Sequence, residues 1–205
     1  MAIDPRDAAL SASCPVIAAP RFGTLEPLVQ GQRMVLASDG VYLQFRGPWL
    51  ACTTRVGAIE PALRLPYGTV AASVEFAFGS IPLTLIEQFL ERGRASLPNE
   101  AAGALIYDCR TAQLVLRMHE PLDSGAGHIH YRMAPLADGE VLAVDLHTHG
   151  TLHAFWSEAD NRDDLGIRVC GVFGNLDRDQ PSARFRLALN GLHLDLPHPW
   201  QNAGL

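Results

Sequence analysis

The chain has 205 residues, of which 48% are hydrophobic and 19% charged, enough apolar matter for a well-buried core and too much for wholesale disorder. That length fits one large domain, or a core domain with a smaller appendage. The net charge of −6, with no basic run longer than a residue or two, excludes a nucleic-acid surface, which needs clustered Lys and Arg.

Cys14, Cys52, Cys109 and Cys170 are widely scattered and form no Cys-x-x-Cys pair. This argues against a disulfide scaffold or a thiolate zinc site and points to a reducing cytoplasm. Asp4 and Asp7 stand where a signal peptide would carry positive charge. No apolar stretch is long enough to span a bilayer. A soluble, cytoplasmic protein is expected.

Residues 1–22, rich in Ala, Ser and Pro, read as a flexible lead-in. Residues 23–72 read as a small β-rich N-terminal module. Asp39-Gly40 lies between two short apolar runs, a hairpin signal. After it, Val41, Leu43 and Phe45 alternate with Tyr42, Gln44 and Arg46, the period of a half-buried strand. "WLACTTRV" adds a further strand, and "EPALRLPYG" reads as a linker; limited proteolysis is expected to nick first in the lead-in or near this linker.

The remainder, 73–205, opens on a strand, "ASVEFAFG". A helix follows, with Ser80 as cap, Pro82 in the first turn and Leu85, Ile86, Phe89 and Leu90 as its apolar stripe. Pro98 and Asn99 end it. "GALIY", "QLVLRMH", "HIHYRM" and "EVLAVDLHTH" read as strands, residues 157–165 as a short helix, and "IRVCGVFG" as another strand. A hairpin turned by Asn190-Gly191 closes the series. The fold class is α/β: a mixed sheet flanked by helices, with an extra N-terminal β-rich module.

If "VLAVDLHTH" is a strand, His147 and His149 project to one face, because strand side chains alternate with a period of two. Two imidazoles presented together are natural metal ligands. Asp160 comes from the next element, with Ser157 one helical turn before it. Two His and one carboxylate leave a fourth position open, the arrangement of a catalytic rather than a structural zinc. Such a site also needs a proton acceptor, and Glu100, at the helix-to-strand break in "LPNEAAGALIYD", is the candidate.

This pattern resembles the JAMM (MPN+) zinc metalloprotease signature: a Glu at a helix-to-strand turn, then His-x-His, seven residues, Ser, two residues and Asp. The order of elements over about 73–196 is similar to that family's cytidine-deaminase-like fold. With the N-terminal module, the chain most resembles the JAMM branch of bacterial PRTRC cassettes. The resemblance implies one zinc held by His147, His149 and Asp160, with Glu100 and Ser157 as catalytic residues. It implies a zinc isopeptidase or peptidase acting at the C-terminus of a ubiquitin-like protein, with an E1-like, ThiF-related protein as associate. The alternative is a catalytically silent MPN-type interaction module. Gly150 stands where the family usually has Pro, which bears on the loop and on substrate approach.

A second His-x-His, His128 and His130, has no Ser or Asp at the required spacing and reads as structural. Trp156 reads as packing or site wall, and His153 is left open. The chain lacks the His-x-Glu and Pro-Cys-x-x-Cys of cytidine deaminases and the His-Glu-x-x-His of gluzincins.

Overall fold

The computed structural model describes residues 3–60 and 63–197. The chain divides into two compact units between Ala77 and Phe78.

The first unit begins with helix α1, Pro5–Ser13, capped by the Asp4 carboxylate and started by Pro5. Strand β1, Val16–Ala18, then pairs in parallel with β2, Gly31–Ala37. Strands β3, Gly40–Arg46, β4, Leu50–Ala58, and β5, Ser73–Phe76, follow, and the sheet order is β1-β2-β3-β4-β5. Val35, Ala37, Tyr42 and Ala19 form its buried cluster, with Ile17, Leu25 and Val70 against it.

Four expectations change here. The lead-in over 1–22 carries a helix and a strand, because the backbone of residues 15–19 finds partners along β2. The two-residue hairpin loop is Ser38-Asp39 rather than Asp39-Gly40. Gly40 already pairs with Ala37 and is required by close approach, since a Cβ there would lie 2.4 Å from the Gly57 carbonyl oxygen. Of the expected linker, residues 63–68 are laced to this unit, while 61 and 62 lie outside the described residues: Leu65 N–H donates to Ser38 O, Ser38 N–H to Gly68 O, and Gly68 N–H to Ala19 O. Finally, "ASVEFAFG" supplies β5 to the first sheet, where Phe76 pairs with Leu50 and stacks on Trp49 at 6.1 Å. The boundary therefore falls at 77 rather than 72.

The second unit opens with helix α2, Leu83–Ser96. Pro82, with φ −58°, is the cap, and no side-chain hydrogen bond closes it, so Ser80 does not serve as expected. Strands β6, Ala102–Asp108, and β7, Gln113–Met118, form a hairpin. A separate hairpin of β8, Glu120–Gly125, and β9, His128–Arg132, is inserted next. Strand β10, Glu140–Thr148, helix α3, Glu158–Asp163, and strands β11, Ile167–Gly174, β12, Ser182–Leu189, and β13, Leu192–Leu196, complete the unit. The six-stranded sheet has the order β13-β12-β11-β10-β6-β7 and is mixed, with β10 and β11 parallel and the other pairs antiparallel. Asn190 and Gly191 turn β12 into β13 with φ of 51° and 92°, the left-handed backbone a two-residue hairpin needs.

Helix α2 buries Ile86, Phe89 and Gly93. Phe89 meets Phe173 of β11 at 5.6 Å. Gly93 has no side chain because a Cβ there would already lie 3.0 Å from Leu176 Cδ1 and 3.1 Å from Thr148 Cγ2. The helix thus rests directly on the end of β10, where the two histidines stand.

Because residues 63–68 are hydrogen-bonded into the first unit, proteolysis between the units is expected within residues 77–82 rather than in 63–68. Mass spectrometry of the first fragments checks this, and an initial cut in 63–68 would contradict it.

Candidate metal centre

His147 is the penultimate residue of β10 and His149 follows the strand by one position. Between them, Thr148 points to the opposite face and is fully buried. Its backbone N–H donates to Ala101 O at 2.9 Å, and its Oγ1 accepts from Ala101 N–H at 2.9 Å. This reciprocal tie brings Glu100, the neighbour of Ala101, to the strand end that carries both histidines. Glu100 N–H in turn donates to Gly125 O at the β8–β9 turn, 3.0 Å away. Sequence reasoning missed Thr148, although a β-branched hydroxyl residue between the two candidate ligands was a usable signal.

The imidazole Nε2 atoms of His147 and His149 are 3.2 Å apart. Asp160 Oδ1 is 3.3 Å from His147 Nε2, and Asp160 Oδ2 is 3.8 Å from His149 Nε2. Among the described residues these three form the group able to hold a metal ion. Bonds of about 2.0–2.1 Å in a tetrahedron put donor atoms about 3.3–3.4 Å apart, so the spacing fits a zinc-sized ion. The donor chemistry fits as well, with two imidazole nitrogens and one carboxylate. His149 Nδ1 is buried without a hydrogen-bond partner, so its ring is held by packing, with Phe155 at 4.4 Å.

Asp160 and Ser157 are locked by a capping box at the start of α3. Ser157 N–H donates to Asp160 Oδ2 at 2.7 Å, and Asp160 N–H donates to Ser157 Oγ at 3.1 Å. One carboxylate oxygen is therefore engaged by backbone, leaving Oδ1 towards His147. The serine oxygen accepts in this pair, so its own hydrogen stays free to donate.

Glu100, His128, His130, Leu152, Phe155 and Ser157 line a single cavity with the metal group, about 240 Å³ in volume. Glu100 is only 7% exposed, and burial raises its pKa; His147 and His128 pull it down while Asp160 pushes it up. His128 and His130 stand outside the metal group; His128 Nε2 contacts Asp123 at 3.2 Å, and both rings wall the cavity. Their place on the wall follows from the inserted hairpin and had no signal in the spacing. His153 meets Asn175 at the surface, 3.3 Å away.

Burial pulls the pKa of His147 down, but the Asp160 carboxylate, helped by Asp145 and Glu100, outweighs it and holds the ring above its ordinary value. Burial and the neighbouring His147 push His149 down to about 4. Burial acts upward on Asp160, yet His147 and the Ser157 hydrogen bonds prevail and hold it well below the usual carboxylate range. Gly150 takes φ +55°, a left-handed conformation closed to proline, whose ring fixes φ near about −65°. The chain leaves His149 here on a path the family's usual Pro could not follow.

A strand end that presents two histidines to a carboxylate from a capped helix, beside a buried Glu, defines a JAB/MPN-type domain. The family model described as prokaryotic homologs of the JAB domain matches residues 82–188, more than half of the chain, and the chain belongs to that family. Residues 4–77 match a domain of unknown function, DUF2016. Among solved structures, the solution structure of protein DSY2949 from Desulfitobacterium hafniense is similar, with 18% identity and a TM-score of 0.43 over 55% of this chain and 86% of that one. Among curated proteins none matches.

Both imidazoles must be neutral to ligate. Below 6.5 the raised His147 already holds a proton that a metal must displace, whereas His149 gains one only near 4. Metal affinity is therefore expected to fall about tenfold per pH unit between about pH 6.5 and 4.5. Chelator competition across that range checks the slope; a hundredfold change per unit would show both rings titrating together.

Thr148→Val keeps the shape but leaves the buried Ala101 N–H without its acceptor. It is expected to destabilise the protein by about 1–3 kcal/mol, as read by chemical denaturation.

Proposed function

We propose that the protein is a JAMM-type zinc metallopeptidase of the branch found in bacterial PRTRC cassettes. It hydrolyses an amide bond at the C-terminus of a ubiquitin-like protein, releasing it from a lysine or from a precursor extension. The observation that carries this reading is the convergence of Glu100, Ser157 and the His147–His149–Asp160 group on one cavity. The match of residues 4–77 is compatible with that branch, whose E1-like, ThiF-related member is the expected associate. Four free cysteines support a reducing, cytoplasmic setting, and no helix among the described residues is long and apolar enough to cross a membrane.

One zinc per chain, held by His147, His149 and Asp160, would supply Lewis acidity and an acidified water. Glu100 takes the proton of the attacking water. Its raised pKa lets it keep that proton until the departing amine needs it, so one carboxyl serves first as base and then as acid. The Ser157 hydroxyl, its lone pair already bound to Asp160 N–H, donates its hydrogen to the carbonyl oxygen as negative charge develops. A silent interaction module has no catalytic use for the buried acid Glu100.

Glu100→Gln is expected to retain full zinc content and lose essentially all turnover. Ser157→Ala is expected to lose about two to three orders of magnitude in rate and about 1 kcal/mol of stability, because the same oxygen caps α3. Zinc content, thermal melting and cleavage of a ubiquitin-like isopeptide substrate, measured together, separate these effects. Glu100→Gln cleaving at the wild-type rate would remove the assignment, and zinc-loaded wild type without cleavage would favour the silent module.

A further inference from the structure

The segment that carries Ser157 and Asp160 has little packing of its own. Helix α3 is six residues long and buries none of them. Its capping box fixes Ser157 relative to Asp160 but does not tie either to the sheet. A buried cation does so. Arg186, on β12 and 2% exposed, reaches across to both ends of the segment. At the C-terminal end, its Nε–H donates to Asp164 Oδ2 at 3.0 Å and an Nη2–H donates to the same oxygen at 2.5 Å. An Nη1–H donates to Asn161 Oδ1, within α3, at 2.6 Å. At the N-terminal end, the guanidinium carbon lies 3.9 Å from the ring centroid of Trp156, the residue before Ser157. The same Trp156 ring lies 6.4 Å from the ring of His147. The Arg168 Nη2–H donates to Asp163 O at 2.8 Å and His193 Nε2 lies 3.3 Å from Asp164 O, and these hold only backbone at the C-terminal end.

We propose that Arg186 is a positioning residue for the metal centre: by gripping Trp156, Asn161 and Asp164 at once, it sets the distance from Asp160 to the two histidines. Three features of the side chain suit this task. The planar guanidinium offers donors in its plane and a face for the indole, so it binds sideways and stacks simultaneously. Its charge is neutralised by Asp164 rather than by Asp160, so it orients the ligand without competing for it. It springs from the sheet that also carries His147, so strand and helix are referred to one rigid frame. Groups that orient metal ligands from outside the coordination sphere typically change affinity about 10–100-fold when altered.

This inference rests on the reading that His147, His149 and Asp160 hold zinc. The test is zinc affinity by chelator competition, with circular dichroism and melting of the metal-free protein alongside, for wild type and Arg186→Lys. The lysine keeps the charge beside Asp164 but loses the fork and the stacked face. A folded Arg186→Lys protein with zinc affinity lowered about 10–100-fold is expected. Affinity within threefold of wild type, whatever the melting temperature, would overturn the inference and leave the zinc reading intact. If Arg186→Lys does not fold, Arg186→Met combined with Asp164→Leu removes both charges and leaves no buried ion unpaired. That pair is expected to show the same loss of affinity, and wild-type affinity in it overturns the inference equally. Wild-type protein that takes up no zinc would remove the zinc reading, and this inference with it.

Discussion

The reciprocal hydrogen bonds between Thr148 and Ala101 are the constraint on which the second unit depends. They join the end of β10 to the start of β6 at the place where Glu100 and the two histidines of the metal-capable group meet. An unpaired backbone N–H or hydroxyl in a buried site carries a large penalty, so the two strands are held at this register. Strand alternation does the rest: with Thr148 turned inward to Ala101, His147 and His149 face the cavity together. Helix α2 then closes over Thr148 through Gly93, where an added Cβ would require Leu176 and Thr148 to give way by a few tenths of an ångström.

Electrostatics distributes roles among groups that share a small space. Glu100 and Asp160 are both carboxylates near His147, yet burial raises one while the imidazole and the capping hydrogen bonds lower the other. A pair of acids driven apart in this way can divide proton transfer from ligation. The two histidines are separated in the same manner, one held up by Asp160 and the other depressed by burial and by its neighbour. The capping box adds economy, since the contacts that start α3 also engage one oxygen of Asp160 and free the hydrogen of Ser157.

The elements legible in the sequence were those whose signal is local. The apolar stripe of α2 and the Asn190-Gly191 turn each express a preference within a few residues, and each forms where expected. Strand β3 also forms, but not with the expected buried face: Tyr42 packs with Val35, Ala37 and Ala19 and is buried like Leu43, while Val41 and Phe45 are only half-buried. The spacing of His147, His149, Ser157 and Asp160 was legible for the same reason, because strand and helix periodicity bring them to related faces. Elements defined by a distant partner were not. Ser73–Phe76 reads as a strand anywhere, but only pairing with Leu50–Thr53 and the Trp49 stack assign it to the first sheet. The Glu120–Gly125 strand contains Pro121 and was not anticipated; its hairpin is separate from the main sheet, and its register shifts beside that proline.

The sequence by itself determined which groups come together, since residue type and spacing specify two imidazoles, a carboxylate and a capping serine, a set able to hold a metal ion. Tertiary structure alone decided how far apart those groups stand and what holds them. Glu100 is 47 residues from His147 along the chain and Arg186 is 26 residues from Asp160. Separations of that size lie beyond the reach of any local sequence signal. For that reason the tie of Thr148 to Ala101 and the contacts of Arg186 with Asn161 and Asp164 could not be read from the sequence.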